Sequence, residues 1–464
     1  MTIKNYVNEN KTSMVNNLID LINIPTLRGE PAPGAPFGEN INKGLEYLLD
    51  LAASFGLEVK NYDGYAGEIN LGTGDYIIGI LGHVDVVPVG DGWNTDPFHA
   101  KIIDNKIYGR GSMDDKAPII SCLHVLKYLK DNNLVPDGVT YRMIIGTNEE
   151  EDWLCVKHYV EVVDRLPDVS IVPDANFPAI FCEKGLLDFN LYYQVPTTAN
   201  EKMKVHALKG GIARNVVTEK AMCLIEVLTN DYDTLLNSLN DLDGVTATLK
   251  DHLWTINTLG KSCHAMSPEK GKNAIAILMN ALEKLGQDFP LYDFVKLYNR
   301  VIGFTYNGEN FDCAFEDHVS GKLTFNVGEI LLAENIISLI SNVRYPASCD
   351  KDIVINAVKG KAANLNLDYE LIDHMDAICM DMDSELITKL MSAYVKVTGD
   401  TENKPFSIGG ATYARTIPNA VAFGPLFPWE EELAHEDNEF QDIESFEKMT
   451  YIYADALQLL GQRN

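Results

Sequence analysis

No stretch of this 464-residue chain stays apolar long enough to cross a membrane. The longest runs, such as residues 76–81, fall far below the ~20 residues that a span requires. The opening residues Met1-Thr2-Ile3-Lys4-Asn5-Tyr6 lack the basic-then-apolar layout of a secretion signal, so a cytoplasmic location is expected. Basic residues are scarce: 38 Lys and Arg against 67 Asp and Glu leave a net charge of −29. The phosphates of nucleic acids and anionic lipids would be repelled, so neither partner is expected. Cysteine is also thin. The eight cysteines, at 122, 155, 182, 223, 263, 313, 349 and 379, are scattered and form no C-x-x-C pair. They read as buried free thiols in a reducing compartment rather than a disulfide framework or a zinc knuckle. Internal repeats and low-complexity tracts are missing too.

What remains is an ordinary folded composition, 46% hydrophobic and 23% charged, on a chain too long for one core. Two domains are expected. Over the first ~180 residues helix-like and strand-like patterns alternate, which predicts an α/β domain on a mainly parallel sheet. Val15, Leu18, Ile19 and Ile22 keep helical spacing, as do Leu45, Leu48, Leu49 and Ala52. Residues 76–81, 141–146, 169–172 and 420–423 read as buried strands, and residues 384–397 as a helix. Between ~185 and ~378 the pattern changes: residues 186–192 alternate loosely and residues 274–285 are helical. That region predicts an inserted α+β domain (185–378) between two parts of the first domain (1–184 and 379–464).

The acidic and imidazole residues gather where these strands end. His83, Glu149-Glu150 and Asp174 each follow a strand within about four residues, and the loop after the last strand carries His435. Ligands of open α/β sheets bind at that edge. Two imidazoles with several carboxylates suit a pair of divalent ions, which can activate water and polarise a carbonyl together. In His83-x-Asp85 the histidine can bind an ion through one nitrogen while a carboxylate fixes the other. Asp114-Asp115 suits a bridge between two ions, or simply a helix N-terminus. Of adjacent Glu149 and Glu150, one could bind metal and its neighbour take a proton from water. Singly, each residue reads more simply as a turn, a cap or a solvated acid. Jointly they do not.

The ordered segments Gly82-His83-Val84-Asp85-Val86-Val87-Pro88, Tyr108-Gly109-Arg110-Gly111-Ser112-Met113-Asp114-Asp115-Lys116, Gly146-Thr147-Asn148-Glu149-Glu150, Pro173-Asp174-Ala175 and Gly409-Gly410-Ala411-Thr412-Tyr413-Ala414-Arg415, with Phe423-Gly424-Pro425 leading to His435, carry a resemblance over nearly the whole chain. The chain resembles the M20 family of metallopeptidases, and within it bacterial dipeptidases of the PepV and Xaa-His type. The resemblance implies two divalent ions: zinc first, with manganese or cobalt as alternatives. It implies that one ion is held by His83 and Asp174 and the other by Glu150 and His435, with Asp114 bridging through a cis Asp114–Asp115 peptide. It further implies that Asp85 orients His83 and that Glu149 is the general base. In the inserted lid domain it implies that His264 stabilises the oxyanion, that Arg344 clamps the substrate carboxylate and that Asn215 touches substrate, as Gly410 of the second catalytic part does.

Three residues depart from the family pattern: Ala117 and Ala265 stand where glycine is usual, and Thr218 where proline is usual. The expected activity is hydrolysis of dipeptides by a monomer whose long lid replaces the partner subunit of dimeric relatives. The alternatives are a deacylase of N-acyl amino acids and, less favoured, a metal-dependent binding protein without turnover.

Overall fold

A computed structural model describes residues 1–196, 202–229 and 232–462. It divides into two compact units. The first comprises residues 1–181, 380–406 and 411–464; the second comprises 182–379 and 407–410.

The first unit is built on a mixed sheet in the order Glu58–Tyr62, Ala66–Gly72, Val139–Gly146, Tyr76–His83, Val169–Val172, Ala420–Ala422, Ile180–Glu183. The four strands from Val139–Gly146 to Ala420–Ala422 are mutually parallel, and antiparallel pairings flank them. Tyr76–His83 is buried along almost its whole length, which is why its sequence does not alternate. Helices Lys116–Asp131 and Ile443–Gly461 pack on that strand, and helices Glu39–Ser54 and Leu154–Val162 on Ala66–Gly72.

Local chemistry sets the ends of these helices. Thr2 caps Ile3–Ile22 by accepting the N–H of Asn5. Asp442 caps Ile443–Gly461 by accepting those of Glu444 and Ser445. The helix expected over 384–397 runs Glu385–Thr398, with Ser384 as its cap and Gly399 in the left-handed conformation ending it.

The second unit is an antiparallel sheet in the order Val245–Lys250, Leu253–Leu259, Lys220–Val227, Met203–Gly210, Thr324–Ala333, Ile336–Tyr345, Gly185–Gln194, Asp368–Met375. Leu187, Phe189 and Leu191 share one apolar core with Ile275, Leu278 and Leu282 of helix Ala274–Glu283 and Val354 and Val358 of helix Lys351–Asn364.

A topological repeat appears here that the sequence did not display. Lys220–Val227, helix Asp233–Ser238, the hairpin Val245–Lys250/Leu253–Leu259 and helix Ala274–Glu283 follow one another. Gly185–Gln194, helix Tyr292–Val301, the hairpin Thr324–Ala333/Ile336–Tyr345 and helix Lys351–Asn364 give a like series, interrupted after Gly185–Gln194 by strand Met203–Gly210 and the whole of the first series. In both halves the second hairpin strand pairs with the opening strand. The halves join where Lys209 and Gly210 pair with Leu331 and Ile330.

The thiol expectation needs correction. Cys182 and Cys379 pair across neighbouring strands and are joined by a disulfide. Their 197-residue separation hid the pairing, because sheet register rather than spacing brings them together. Among the described residues the other six cysteines are free, and Cys122, Cys155, Cys223 and Cys313 are buried. No helix of the described residues is long and apolar enough to cross a membrane.

Candidate metal centre

His83 is the last residue of strand Tyr76–His83 and is fully buried. Its Nε2 lies 3.0 Å from Asp114 Oδ1 and 3.7 Å from Asp174 Oδ1. The other oxygen of Asp114 faces a second imidazole: Oδ2 is 3.1 Å from His435 Nε2, which is 3.0 Å from Glu150 Oε2. One carboxylate therefore stands between two imidazoles, each with a further acid beside it. The ligand atoms of His83, Glu149 and Asp174 lie within 4.8 Å of one another, as do those of His83, Asp114 and Glu150.

The loops that carry these groups are fixed by backbone hydrogen bonds. The Asp85 carboxylate accepts the N–H groups of Glu149 and Glu150, each at 3.1 Å. It stands 3.4 Å from His83 Nδ1, but the closer partner of that nitrogen is the Asp85 backbone carbonyl, at 3.0 Å. Asp85 thus orients the histidine partly through its backbone, while its side chain sets the glutamate loop. Glu149 and Glu150 point into the cluster, whereas Glu151 turns outward to an ion pair with Arg28.

Asp115 occupies the N-cap position of helix Lys116–Asp131 without capping it; its Oδ2 accepts the N–H of His83 at 3.1 Å. The Asp114–Asp115 peptide is cis. Glycine is required at 82, because a Cβ there would meet Asp115 Oδ2 at 2.4 Å. Tyr413 closes the floor: its hydroxyl is 2.9 Å from Cys155 Sγ and its ring lies edge-on to His83.

Crowded acids determine the electrostatics. Burial would raise the Asp114 carboxyl, yet hydrogen bonds with His435 and His83 hold it far below the usual range. Burial and then the charge of Asp114 push Glu150 up to about 7 and Asp174 up to about 6. Burial and Asp174 raise Glu149 well above its ordinary value. Burial opposes protonation of His435, but bonds to Asp114 and Glu150 outweigh it and lift it to about 11. For His83 the opposition of burial is overcome by Asp174 and Asp114. The pocket calls for positive charge at two places, and two divalent cations fit that demand as well as the donor set.

The second unit holds the remaining candidates. His264 is exposed, and its Nδ1 accepts the N–H of Met266 at 3.1 Å, which leaves the proton of the neutral ring on Nε2. Ala265 N–H donates to the carbonyl of Asn215 at 2.9 Å, tying that loop to the histidine loop. Arg344 is buried in strand Ile336–Tyr345; its Nε donates to Asn342 at 2.8 Å and its Nη1 to the carbonyl of Gly409 at 3.1 Å, beside Gly410. Asn342 in turn donates to Asp188, which pairs with Arg214. Of the three departures, Ala117 and Ala265 are fully buried, and the Thr218 hydroxyl donates to the carbonyl of Gly328.

Sequence reasoning gave no role to Arg110, Lys116 or Glu439, all buried. The Lys116 ammonium donates to the carbonyls of Leu21 and Ile24, anchoring the end of the first helix.

A model of peptidase family M20/M25/M40 matches residues 79–459. The Bacillus subtilis protein named "Putative dipeptidase YtjP" is 35% identical over 463 residues, covering 97% of this chain and 98% of that one. Human carnosine dipeptidase 1 superposes with a TM-score of 0.61 at 15% identity, over 99% of this chain and 98% of that one. The Saccharomyces cerevisiae di-peptidase Dug1p gives 0.59 at 15% identity, over the same shares. At such identities the two structures speak for the fold alone.

Proposed function

The chain belongs to peptidase family M20/M25/M40 and is a hydrolase of that family, and from that premise we propose that it is a dipeptidase working with two divalent ions. Support comes above all from Asp114, whose two oxygens face different imidazoles at 3.0 and 3.1 Å. In this reading His83 and Asp174 would hold one ion and Glu150 and His435 the other, with Asp114 serving both. Zinc suits imidazole plus carboxylate ligands, and manganese or cobalt suit the same oxygen-rich set. When bound, the ions polarise the scissile carbonyl and acidify the attacking water.

Everything else is done by the chain's own residues. Glu149 takes the water's proton and hands it to the leaving amine. His264 donates its Nε2 proton in a hydrogen bond to the developing oxyanion. Arg344 clamps the substrate's free carboxylate, which restricts cleavage to one residue from the C-terminus. Asn215 and Gly410 contact substrate nearby. The long inserted lid is read as taking the place of a partner subunit, so that His264 acts within its own chain and the protein is a self-sufficient monomer.

Metal-free protein reloaded with Zn2+, Mn2+ or Co2+ and offered free dipeptides and N-acetyl amino acids tests the activity. Cleavage confined to the N-acetyl series would make it a deacylase instead. Glu149→Ala is expected to abolish turnover while ions still bind. Unchanged dipeptide hydrolysis by that variant would remove Glu149 from the mechanism.

A further inference from the structure

Arg110 and Glu439 stand between the two ends of the candidate metal centre. Glu439 is completely buried, and its carboxylate accepts the backbone N–H groups of Gly111 at 3.0 Å, Met113 at 2.7 Å and Asp114 at 3.2 Å. It also accepts Arg110 Nη1 at 2.8 Å. Arg110, itself buried, directs its other bonds to backbone carbonyls: His435 at 3.1 Å, Glu436 at 3.2 Å and Pro88 at 3.4 Å. The pair therefore grips the loop of Asp114 with one end and the loop of His435 with the other.

His435 needs such a grip. Its φ is +68°, a left-handed conformation that a residue with a Cβ rarely adopts without outside constraint, and its side chain is half-exposed. The same loop is stitched on its far side, where Asp437 accepts the N–H of Gly92 and Asn438 that of Asn94. A buried ion pair gives little net stability over an apolar pair of similar volume. Its value here is geometric: three N–H groups on one side and two carbonyls on the other are held at a fixed separation.

We propose, on the two-ion reading above, that Arg110 and Glu439 are positioning residues. They set the distance between Asp114 and His435 and so determine how tightly the ion on the His435 side is held.

Calorimetric titration of metal-free, full-length protein with Mn2+ tests this, comparing wild type, Arg110→Lys, Glu439→Gln, His435→Ala and the double variant Arg110→Lys/His435→Ala. Wild type is expected to take up two ions. Arg110→Lys should hold one as before and bind the other about 10–100-fold more weakly, the range for a residue that orients a ligand. Glu439→Gln should weaken both ions, since it loosens Asp114, and the His435-side ion more, since it releases Arg110 as well. The double variant should lose nothing beyond His435→Ala, because both changes act on one ion. Wild type taking up a single ion overturns the two-ion reading, and the positioning role with it. Two ions bound by wild type and by both single variants with unchanged affinity overturn the positioning role alone. Equal weakening of both ions in Arg110→Lys, or failure of both Arg110→Lys and Glu439→Gln to fold, would also overturn it, because the pair would then be scaffold.

Discussion

The two units hold their chemistry in opposite ways. In the first, His83 ends a buried parallel strand, Glu150 and Asp174 closely follow two more, and Asp114 and His435 stand on longer loops. Neighbouring side chains tie the backbone down: Asp85 under Glu149 and Glu150, Asp115 under His83, Glu439 under Asp114. In the second, Arg344 is sunk in an antiparallel strand, but His264 rides an exposed loop whose ring is oriented by the N–H of Met266. Groups that must share two charges within a few ångströms need a scaffold that cannot relax. Groups that meet a substrate can be carried by an element with fewer constraints. Failure of the first set should therefore remove the reaction, and failure of the second should weaken it.

Asp114→Ala carries the largest expected effect. It removes the acid facing both imidazoles, so uptake of both ions and all catalysis should disappear, a loss on the order of 10^6-fold or more. Elemental analysis of the dialysed variant beside a rate assay checks it. Retention of two ions would show that the cluster does not depend on its central acid, and the contrast between the units would fall.

Next come the second-unit residues, where ion uptake should not change. His264→Ala is expected to lower kcat roughly 100- to 1000-fold, the cost of one oxyanion donor. Arg344→Lys is expected to raise KM about tenfold to a hundredfold for free dipeptides, as loss of a charged hydrogen bond does, and to leave dipeptide amides nearly unaffected. A common KM rise for both substrates would take the carboxylate away from Arg344. Mixing Glu149→Ala with His264→Ala protein sharpens the comparison further. A self-sufficient chain predicts no recovery of activity, whereas recovery would mean that His264 serves a neighbouring molecule.

The contrast also governs what could be read from sequence. Strands such as Tyr76–His83 are continuous apolar runs, so their ends, and the acids following them, stand out without coordinates. His83, Glu150 and Asp174 stand out for that reason, whereas the choice of Asp114 and His435 rested on the resemblance. Arg110 and Glu439 did not stand out, because a buried charge looks like a solvated one until its partner, 329 positions away, is in view. Asp85 was legible as an acid near His83, but its grip on the glutamate loop depends on how that loop turns. In the second unit the repeat is one of strand connections rather than residues, and the disulfide joins cysteines that only sheet register makes neighbours. Local pattern carries element type; long-range pairing needs the fold.

The smallest effect probes stability rather than catalysis, and asks whether buried ionisable groups make the first unit acid-sensitive. His124 lies on helix Lys116–Asp131, buried, with Asn17 Nδ2 3.0 Å from its Nε2 and the Tyr6 hydroxyl 3.2 Å from its Nδ1. Burial, helped by the charge of Lys127, lowers its pKa from 6.5 to about 4. The folded protein therefore refuses a proton that the unfolded chain accepts. Stability from this group is complete above pH 6.5 and drains away as pH falls towards 4, a loss of about 3 kcal/mol once both states are protonated. His124→Gln removes the titration, so its unfolding free energy should be lower than wild type at pH 7 but fall less between pH 7 and 4. Denaturant titrations at both pH values measure the two slopes. Equal slopes would mean that His124 is already solvated or charged in the folded state.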